Sequence, residues 1–469
     1  MTGGLQRGST KGPGRLDTRQ AGAERIGMDK NSVDRIDNGY DGFGDTQTGA
    51  RAGGIPNWNN RELSDEYVEE NVRQPGVDVP FLVLTLLLLA IGVIMVLSAS
   101  FVREYYNTGM PTRLFMRQFV FAVSGVAIML IVSRIKARTL SRWSVLLFVI
   151  SIALLALVLA VGIKLNGARR WLSIGGANSV LTFQPSEIAK LALILMFAQM
   201  ICSFGRSKMR TFKYGVVPFV TLTGLMVGLV VLEPHLSAAI IITALAAVLM
   251  FAGGTRLRWF ALAGVAVAAV VCFAVFAYIR TPAQTADTQN ISGIVSQTQW
   301  ENAGLGYAGR RLSAWLDPEA DPLGDGFQIR QSLYAIGSGG LLGQGLGQSR
   351  QKYLYLPEEH NDYIFAIVCE ELGYIGAMLI LLLFALLIVR GFWLALHAKD
   401  KFSSLIVTGI TSLLAIQVFL NVAVVTNLLP ATGISLPFFS SGGTALWIQL
   451  VQVGIVLSVS RDIPRESLV

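Results

Sequence analysis

Residues 79–101 (VPFLVLTLLLLAIGVIMVLSASF) form an unbroken apolar run, and runs of this kind decide the fold of the chain. About 20 apolar residues in a helix are enough to cross the hydrocarbon core of a bilayer. Nine further runs follow the first, so the sequence predicts ten transmembrane helices. The ten predicted spans cover residues 79–101, 115–133, 143–163, 186–204, 214–232, 236–254, 259–279, 364–389, 403–426 and 443–460.

The overall composition agrees with this prediction. The chain has 469 residues, of which 53% are hydrophobic and 14% are charged. Soluble domains are about 25% charged, so an ordinary soluble enzyme is excluded. The apolar runs are continuous rather than alternating, which argues against a transmembrane β-barrel. Because lipid cannot satisfy backbone polar groups, we expect an all-α polytopic integral membrane protein. Cys202, Cys272 and Cys369 each lie inside an apolar run and are interpreted as small buried hydrophobes.

Residues 1–77 differ from the rest of the chain. They are rich in Gly, Asp, Arg, Thr and Asn without sustained periodicity, which predicts a disordered cytoplasmic tail with a short acidic helix around 61–72. The membrane region, residues 78–462, carries the basic excess behind the net charge of +8, and residues 463–469 form the C-terminal end. Its basic residues are scattered between apolar runs, so no nucleic-acid-binding surface is predicted.

The short loops between the spans carry most of their basic residues on one side. With the N-terminus in the cytoplasm, the loops on that side hold 15 Lys or Arg residues against Asp400, Asp462 and Glu466. An excess of Lys and Arg marks the cytoplasmic side of membrane proteins. An even number of spans returns the chain to the same side, so both termini are predicted to be cytoplasmic.

Two loops on the opposite, extracytoplasmic side are candidates for function. Residues 164–185 carry three basic residues, and the loop between the seventh and eighth spans, residues 280–363, is long, polar and rich in Gly and Pro. Long loops with their own charges commonly carry function. The glycines of residues 337–347 predict closely packed turns, and not a dinucleotide-binding fingerprint, because no strand precedes them. Residues 429–443 are interpreted as a re-entrant or interfacial loop that lines a cavity.

The fourth span opens with two charged residues. Glu187 and Lys190 are three residues apart and therefore share one face of the helix. A favourable charge at the helix start would explain Glu187, but a Lys in the first turn opposes the helix dipole. Arg117, at the start of the second span, lies at the same outer level. It either snorkels to the headgroups or joins Lys190 in a cationic pocket for a phosphate.

A second concentration of charge lies at the entrance of the eighth span. Asp362 is either an N-terminal helix cap or a general base whose proton affinity is raised in a partly dry cleft. Glu370 and Glu371 lie roughly 12 Å further along the helix, and at least one of them should face a polar cavity or a cation. His360 is interpreted as a positioning residue or a headgroup contact, because the other two histidines lie on different loops and a His-based metal site is not expected.

Several ordered motifs resemble one known family. They are Arg170-Trp171-Leu172, Gln184-Pro185-Ser186-Glu187-Ile188-Ala189-Lys190, Asp321-Pro322-Leu323-Gly324, Gln331-Ser332-Leu333, Ala335-Ile336-Gly337-Ser338-Gly339-Gly340, Leu356-Pro357-Glu358-Glu359-His360-Asn361-Asp362, Glu370-Glu371-Leu372-Gly373, Leu436-Pro437 and Ser440-Ser441-Gly442-Gly443. These motifs are similar to those of the SEDS family (shape, elongation, division and sporulation), and the resemblance covers about residues 78–462. Residues 349–352 and 361–366 look more like the FtsW branch than the RodA branch. One departure is residues 233–237, EPHLS, where family members often have Pro-Asp-x-Gly.

The resemblance implies the SEDS fold and a peptidoglycan glycosyltransferase. Its substrate would be lipid II, a disaccharide-peptide on undecaprenyl pyrophosphate, polymerised at the outer face of the bacterial cytoplasmic membrane for septal wall synthesis in cell division. The family's essential acid matches Asp362, which would deprotonate the acceptor hydroxyl in a single inverting displacement. Basic residues, or a divalent cation such as Mg²⁺ or Mn²⁺, would face the departing pyrophosphate. The implied partners are a class B penicillin-binding protein, which is a transpeptidase, and other divisome proteins. The predicted substrate-binding residues are Arg117, Arg170, Trp171, Glu187, Lys190, His360 and Glu370.

Other functions remain open from the sequence. The many spans and intramembrane charges also suit a transporter that flips lipid II between leaflets, and a scaffold that recruits the transpeptidase without chemistry is a third possibility. Transport folds commonly contain an inverted repeat, and none is visible in the sequence. Within the family, the alternative is a polymerase of the elongation or sporulation type, like RodA or SpoVE.

Overall fold

Asp78 begins the first membrane helix, Val79–Thr108. Its side chain accepts a hydrogen bond from the amide of Phe81 at 2.8 Å. Pro80 occupies the first turn, where its missing N–H is not needed by the helix. The helix ends at Gly109, whose φ of 71° glycine adopts without steric conflict.

The other elements follow in chain order. The computed structural model describes residues 76–165, 168–173, 182–265, 306–319 and 324–463. The helices are α1 (Val79–Thr108), α2 (Arg113–Val132), α3 (Ala137–Val161), α4 (Pro185–Met209), α5 (Phe212–Gly215), α6 (Val217–Leu232), α7 (Leu236–Gly253), α8 (described over 257–265), α9 (Gly306–Leu316), α10 (Asp325–Ser338), α11 (Ile364–Leu396), α12 (Lys401–Val425) and α13 (Gly443–Ser460). The strands are β1 (Ile163–Leu165), β2 (Ala168–Ser173) and β3 (Thr182–Phe183).

The predicted all-α membrane architecture is confirmed. Within the described part of the chain, nine helical segments are long and apolar enough to cross a membrane, with α5 and α6 together forming one of them. The seventh predicted span, 259–279, is described as helix only up to residue 265, so this span stays a prediction. The predicted ends were too short by as many as seven residues, since α1 continues to Thr108 and α11 to Leu396. Hydropathy locates the apolar part of a helix, and the polar turns beyond it escape that signal.

The loop after α3 contains a small sheet that the sequence analysis missed. Its strands are antiparallel in the order β1-β2-β3, with Ile163 opposite Trp171 and Leu172 opposite Phe183. The sheet ends directly before α4, so it holds Arg170 and Trp171 beside the first turn of that helix.

The long loop before α11 is partly helical. The side chain of Trp315 on α9 donates to the carbonyl of Asn427 at 3.0 Å, and the hydroxyl of Ser332 on α10 donates to the carbonyl of Val425 at 2.8 Å. Both acceptors lie at the end of α12. These bonds therefore dock the described part of the loop onto the helical bundle.

A turn segment, residues 339–347, packs against the kink in α11. The kink lies at Gly373, whose φ of 69° and ψ of −173° are not helical. The amide of Gln344 donates to the carbonyl of Glu370 at 3.0 Å, and the amide of Tyr374 donates to the carbonyl of Gly340 at 2.9 Å. A Cβ on Gly343 would lie 2.2 Å from the carbonyl oxygen of Glu371, so this approach requires glycine. The expected glycine-rich turns are present, and they pack beside a membrane helix.

The helices enclose one continuous apolar core. The closest pairs are α2 with α13, α3 with α4 and α11 with α12. At the ends of α1 and α11, Arg390 binds Asp78 in an ion pair of 2.6 Å, and the amide of Asp78 donates to the hydroxyl of Ser460 at 3.1 Å. The predicted tail up to residue 75, including its short helix, and residues 464–469 lie outside the described residues.

Candidate active site

A polar cavity of about 450 Å³ opens where α4, α7, α12 and α13 meet the loops before α4, α11 and α13. Its wall combines charged side chains, amides and hydroxyls with apolar residues. The charged and histidine side chains in the wall are Arg170, Glu187, Lys190, His235, Arg311, Glu358 and Asp362. The amide side chains in the wall are Gln184, Gln328, Asn361, Gln417 and Gln449.

Asp362 lies at this cavity, two residues before α11. Tyr363 is the residue at the helix N-cap and no side chain caps it, so Asp362 does not serve as a helix cap. The backbone carbonyl of Asp362 accepts a hydrogen bond from Asn421 Nδ2 at 2.8 Å. Asn421 also donates to the carbonyl of Ile434 at 2.7 Å. One amide therefore ties the Asp362 backbone to the loop before α13.

The surroundings of Asp362 favour its neutral form more than water does. Burial and the neighbouring Glu358 raise the pKa of the Asp362 carboxyl to about 6. Arg311, Arg170 and His360 act in the opposite direction and keep the pKa from rising further. A carboxyl with this pKa is ionised near neutral pH and still accepts a proton readily, which suits a general base.

The cationic side of the cavity is built on the first turn of α4. Lys190 Nζ lies 2.8 Å from Glu187 Oε1, and both side chains are almost fully buried. The shared helix face predicted from their spacing is confirmed. Arg170 reaches the cavity from β2, where its Nη2 donates to the carbonyl of Pro234. Two cations from different elements therefore face the same space as Asp362.

His235 and Glu233 flank these cations at the turn between α6 and α7. Burial and then the nearby Arg170 and Lys190 lower the pKa of His235 to about 3, so its ring is neutral. Burial raises the pKa of Glu233 to about 8, against the opposing effect of Arg170. His235 lines the cavity, with its ring nitrogens 3.4 Å from Gln184 Nε2. A neutral imidazole there can hydrogen-bond a ligand without changing the charge of the site.

The structure brings together five of the predicted site residues at the cavity. These five are Arg170, Trp171, Glu187, Lys190 and Asp362.

Three predicted substrate-binding residues lie away from the cavity wall. Arg117 stays on α2, with its guanidinium carbon 5.8 Å from the ring centre of Phe121. His360 offers its backbone carbonyl to the amide of Ser441 at 3.0 Å, and its Nδ1 lies 3.8 Å from a carboxylate oxygen of Glu359. Arg117 is therefore not among the residues that line the cavity with Lys190.

Glu370 is the third of these residues. Its carboxylate is fully buried and accepts hydrogen bonds from the hydroxyl of Ser349 and from the amide of Arg350, the latter at 2.9 Å. Buried carboxylates need hydrogen-bond donors, and here the loop that contains Ser349 and Arg350 supplies them. Glu370 therefore anchors this loop. The neighbouring Glu371 meets Lys352 Nζ at 3.1 Å, in accord with the expectation that one of the two faces a cation.

Several cavity residues were missed by the sequence analysis. Arg311 and Gln328 come from the loop helices α9 and α10. No local sequence pattern predicts that these helices dock onto the bundle. Gln417 and Gln449 lie inside the apolar helices α12 and α13, and amides in such runs are a signal that could have found them.

A divalent cation at this cavity would need ligands from the substrate as well as from the protein. Among the residues that the structure describes, no three His, Cys, Asp or Glu side chains are grouped to hold a metal ion. Mg²⁺ commonly binds one or two carboxylates together with substrate phosphates and water. Asp362 and Glu358 could supply such carboxylates at the cavity.

Apolar helices around a polar cavity that holds an acid and several cations define a multi-pass membrane protein with an enzyme-like site. Comparison with known sequences identifies the group. The chain belongs to the FtsW, RodA and SpoVE family of cell cycle proteins, whose profile matches residues 79–464. The predicted family membership is thereby confirmed.

Individual relatives match over nearly their whole length. The chain is 40% identical over 391 residues to stage V sporulation protein E of Bacillus subtilis (strain 168). This alignment covers 83% of this chain and 98% of that protein. It is 36% identical over 397 residues to the probable peptidoglycan glycosyltransferase FtsW of Trichlorobacter lovleyi (strain ATCC BAA-1151 / DSM 17278 / SZ), covering 84% and 96%.

Solved structures share the fold. A chain of a peptidoglycan synthase complex, studied for its coordination of polymerization and crosslinking, superposes with a TM-score of 0.61 at 30% identity, covering 82% of this chain and 98% of that chain. The rod shape determining protein RodA of Thermus thermophilus superposes with a TM-score of 0.56 at 28% identity, covering 83% and 98%. The predicted SEDS fold is confirmed by this agreement.

Proposed function

We propose that this protein is a peptidoglycan glycosyltransferase that polymerises lipid II, with Asp362 as its general base. The observation that carries the proposal is that the Asp362 carboxyl shares one polar cavity with Arg170 and Lys190. A base and cations at one site are what glycosyl transfer from a pyrophosphate donor requires. The FtsW relative named as a probable peptidoglycan glycosyltransferase supports the same reaction class.

In the proposed reaction the acceptor's sugar hydroxyl is held beside Asp362. The carboxylate takes the hydroxyl proton while the hydroxyl oxygen forms a bond to the donor's anomeric carbon. The bond between that carbon and the pyrophosphate oxygen breaks, and its electron pair leaves on the undecaprenyl pyrophosphate. A single displacement of this kind inverts the anomeric carbon and needs no covalent enzyme intermediate.

The cations then act on the leaving group. Arg170 and Lys190 line the wall from which they can stabilise negative charge that develops on the pyrophosphate. Lys190 is kept in place by its buried pair with Glu187. A divalent cation held by Asp362 or Glu358 together with phosphate oxygens would supply the same electrostatic stabilisation when bound.

The setting of the reaction is also part of the proposal. We infer a site at the outer face of a bacterial cytoplasmic membrane, with both termini cytoplasmic and with septal wall synthesis in cell division as the role. The synthase complex among the structural neighbours supports a class B penicillin-binding protein as partner, with other divisome proteins around the pair. The sporulation relative keeps a sporulation role as the alternative within the family.

The decisive test uses purified full-length protein, fluorescent lipid II and gel analysis of glycan strands. Asp362→Asn should lower the polymerisation rate by about 10²–10⁴-fold while the elution profile and melting temperature stay unchanged. Asp317→Asn is the matched control, since Asp317 is an exposed aspartate outside the cavity wall. Full activity of Asp362→Asn would refute the assignment. Lipid II movement between leaflets of protein-containing liposomes, without polymer, would favour the transporter.

A further inference from the structure

Six exposed cations gather at the end of the bundle opposite the cavity. Helix α7 runs from the cavity at His235 to Gly253, and its 18 residues span about 27 Å. The segments that meet at the far end are the last turn of α4, helix α5 and the start of α8. The six cations, called here the basic–aromatic cluster together with the rings beside them, are Arg206, Lys208, Arg210, Lys213, Arg256 and Arg258.

Two separate loops contribute to this one surface. The hydroxyl of Thr255 donates to the carbonyl of Gly215 at 3.3 Å, which joins the loop after α7 to the end of α5. The rings of Phe212 and Trp259 pack with their centres 4.8 Å apart. Cations that are distant in sequence are thereby held side by side.

Aromatic rings form the floor of the cluster. The ammonium groups of Lys208 and Lys213 lie 5.9 Å and 5.8 Å from the ring centre of Tyr214. The guanidinium carbon of Arg258 lies 4.7 Å from the ring centre of Trp259. Rings with this mixed character prefer the boundary between headgroups and acyl chains, which is where the ends of membrane helices lie.

The cluster has little negative charge to balance it. Between residues 202 and 258 the chain has one carboxylate, Glu233, which lies at the cavity end of α6. Asp400, directly before the neighbouring α12, accepts hydrogen bonds from the amide of Ser403 at 3.1 Å and from its hydroxyl at 2.7 Å. No ion pair between described residues uses any of the six cations.

We propose that the basic–aromatic cluster binds the headgroup phosphates of anionic phospholipids. Basic residues at membrane helix ends are attracted to anionic headgroups, and their number and proximity set the strength. The cluster adds an aromatic floor at the same level, against which glycerol and the first acyl carbons pack. A soluble anion would use the cations but not this apolar contact, so the geometry favours a lipid over free phosphate.

The experiment compares two triple variants of the full-length protein purified in a neutral detergent. Arg206→Gln/Arg210→Gln/Lys213→Gln removes half of the cluster. Arg134→Gln/Lys136→Gln/Arg138→Gln, called here the loop variant, removes three exposed cations that come from the loop after α2 and the first turn of α3. Native mass spectrometry then counts retained phosphatidylglycerol and cardiolipin, with phosphatidylcholine as the neutral comparison.

The cluster variant should retain anionic lipid at least about fivefold less than the wild-type protein, and the loop variant should match the wild-type protein. Equal losses in the two variants would overturn the proposal, because the effect would then come from net charge alone. Displacement of phosphatidylglycerol by an equal concentration of inorganic phosphate would also overturn it and would indicate a site for soluble anions. Should the triple cluster variant aggregate, Arg258→Gln alone should show a smaller loss, and no loss would refute the proposal.

Discussion

Gly433 lies directly against the carboxylate of Asp362. A Cβ built on Gly433 would stand 3.1 Å from Asp362 Oδ2, and the φ of this residue is +73°. The loop before α13 therefore closes over the proposed base at a position where only glycine leaves the carboxyl its present place. The position of the Asp362 carboxylate therefore depends on the absence of a side chain at Gly433.

Gly433→Ala should reduce the rate of glycan synthesis beyond what its loss of stability explains. The new methyl group would push the Asp362 carboxyl away from an incoming hydroxyl by a few tenths of an ångström. A displacement of about 1 Å can cost roughly 10²-fold in rate, so a loss smaller than this is expected. Gly109→Ala is the matched control, since Gly109 has a φ of +71° and nothing within 4 Å of its Cβ position. Both changes carry the left-handed strain of about 1–2 kcal/mol, which thermal unfolding in detergent measures. Equal activity of the two variants would contradict the steric argument.

The pH profile of the polymerase should rise through the pKa of Asp362. A general base works in its ionised form, so activity should be low below about pH 6 and level off above it. Glu358 raises this pKa and Arg311 lowers it. Glu358→Gln should therefore shift the rise of initial rate to lower pH, and Arg311→Gln should shift it to higher pH.

The measurement is the initial polymerisation rate between pH 4.5 and 9. Its control is the pH dependence of the melting temperature, which separates loss of fold from loss of ionisation. A profile that falls with rising pH would mean that Asp362 acts as a proton donor instead.

Much of this fold could be predicted because the length of an apolar run is itself the signal for a membrane helix. The same is true of Glu187 and Lys190, whose spacing puts them on one helix face. The short strands gave no such signal, since β3 has only two residues and β1 three. A sheet of this size depends on pairing between segments, which a local pattern does not show.

The cavity residues divide in the same way. Asp362 could be found from its charge at a helix entrance, whereas Arg311 is placed by the docking of α9, which Trp315 fixes on Asn427. His235 reaches the cavity through the turn between α6 and α7, where it meets Gln184 from another loop. Glu370 was assigned to the substrate because an acid in a membrane helix suggests function. Only the fold shows that its partners are Ser349 and the backbone.

Glu370→Gln should affect stability rather than substrate affinity. The amide keeps one acceptor but loses the charge that holds Ser349 and the amide of Arg350, so the expected loss is about 1–3 kcal/mol of unfolding free energy. Titration of lipid II should give an unchanged KM. An increase of KM without loss of stability would instead restore Glu370 as a substrate-binding residue.

Lys190→Met should destabilise the protein strongly as well as weaken the site. The change leaves Glu187 buried without the partner that now lies 2.8 Å away, and breaking a buried pair in this way costs about 3–5 kcal/mol. The double variant Glu187→Gln/Lys190→Met removes both charges and should recover most of the melting temperature. It should not recover the KM for lipid II, because the cation that we propose to face the pyrophosphate is still missing. If the double variant regains both the melting temperature and the KM, Lys190 serves only the fold. The positive charge at the cavity would then depend on Arg170.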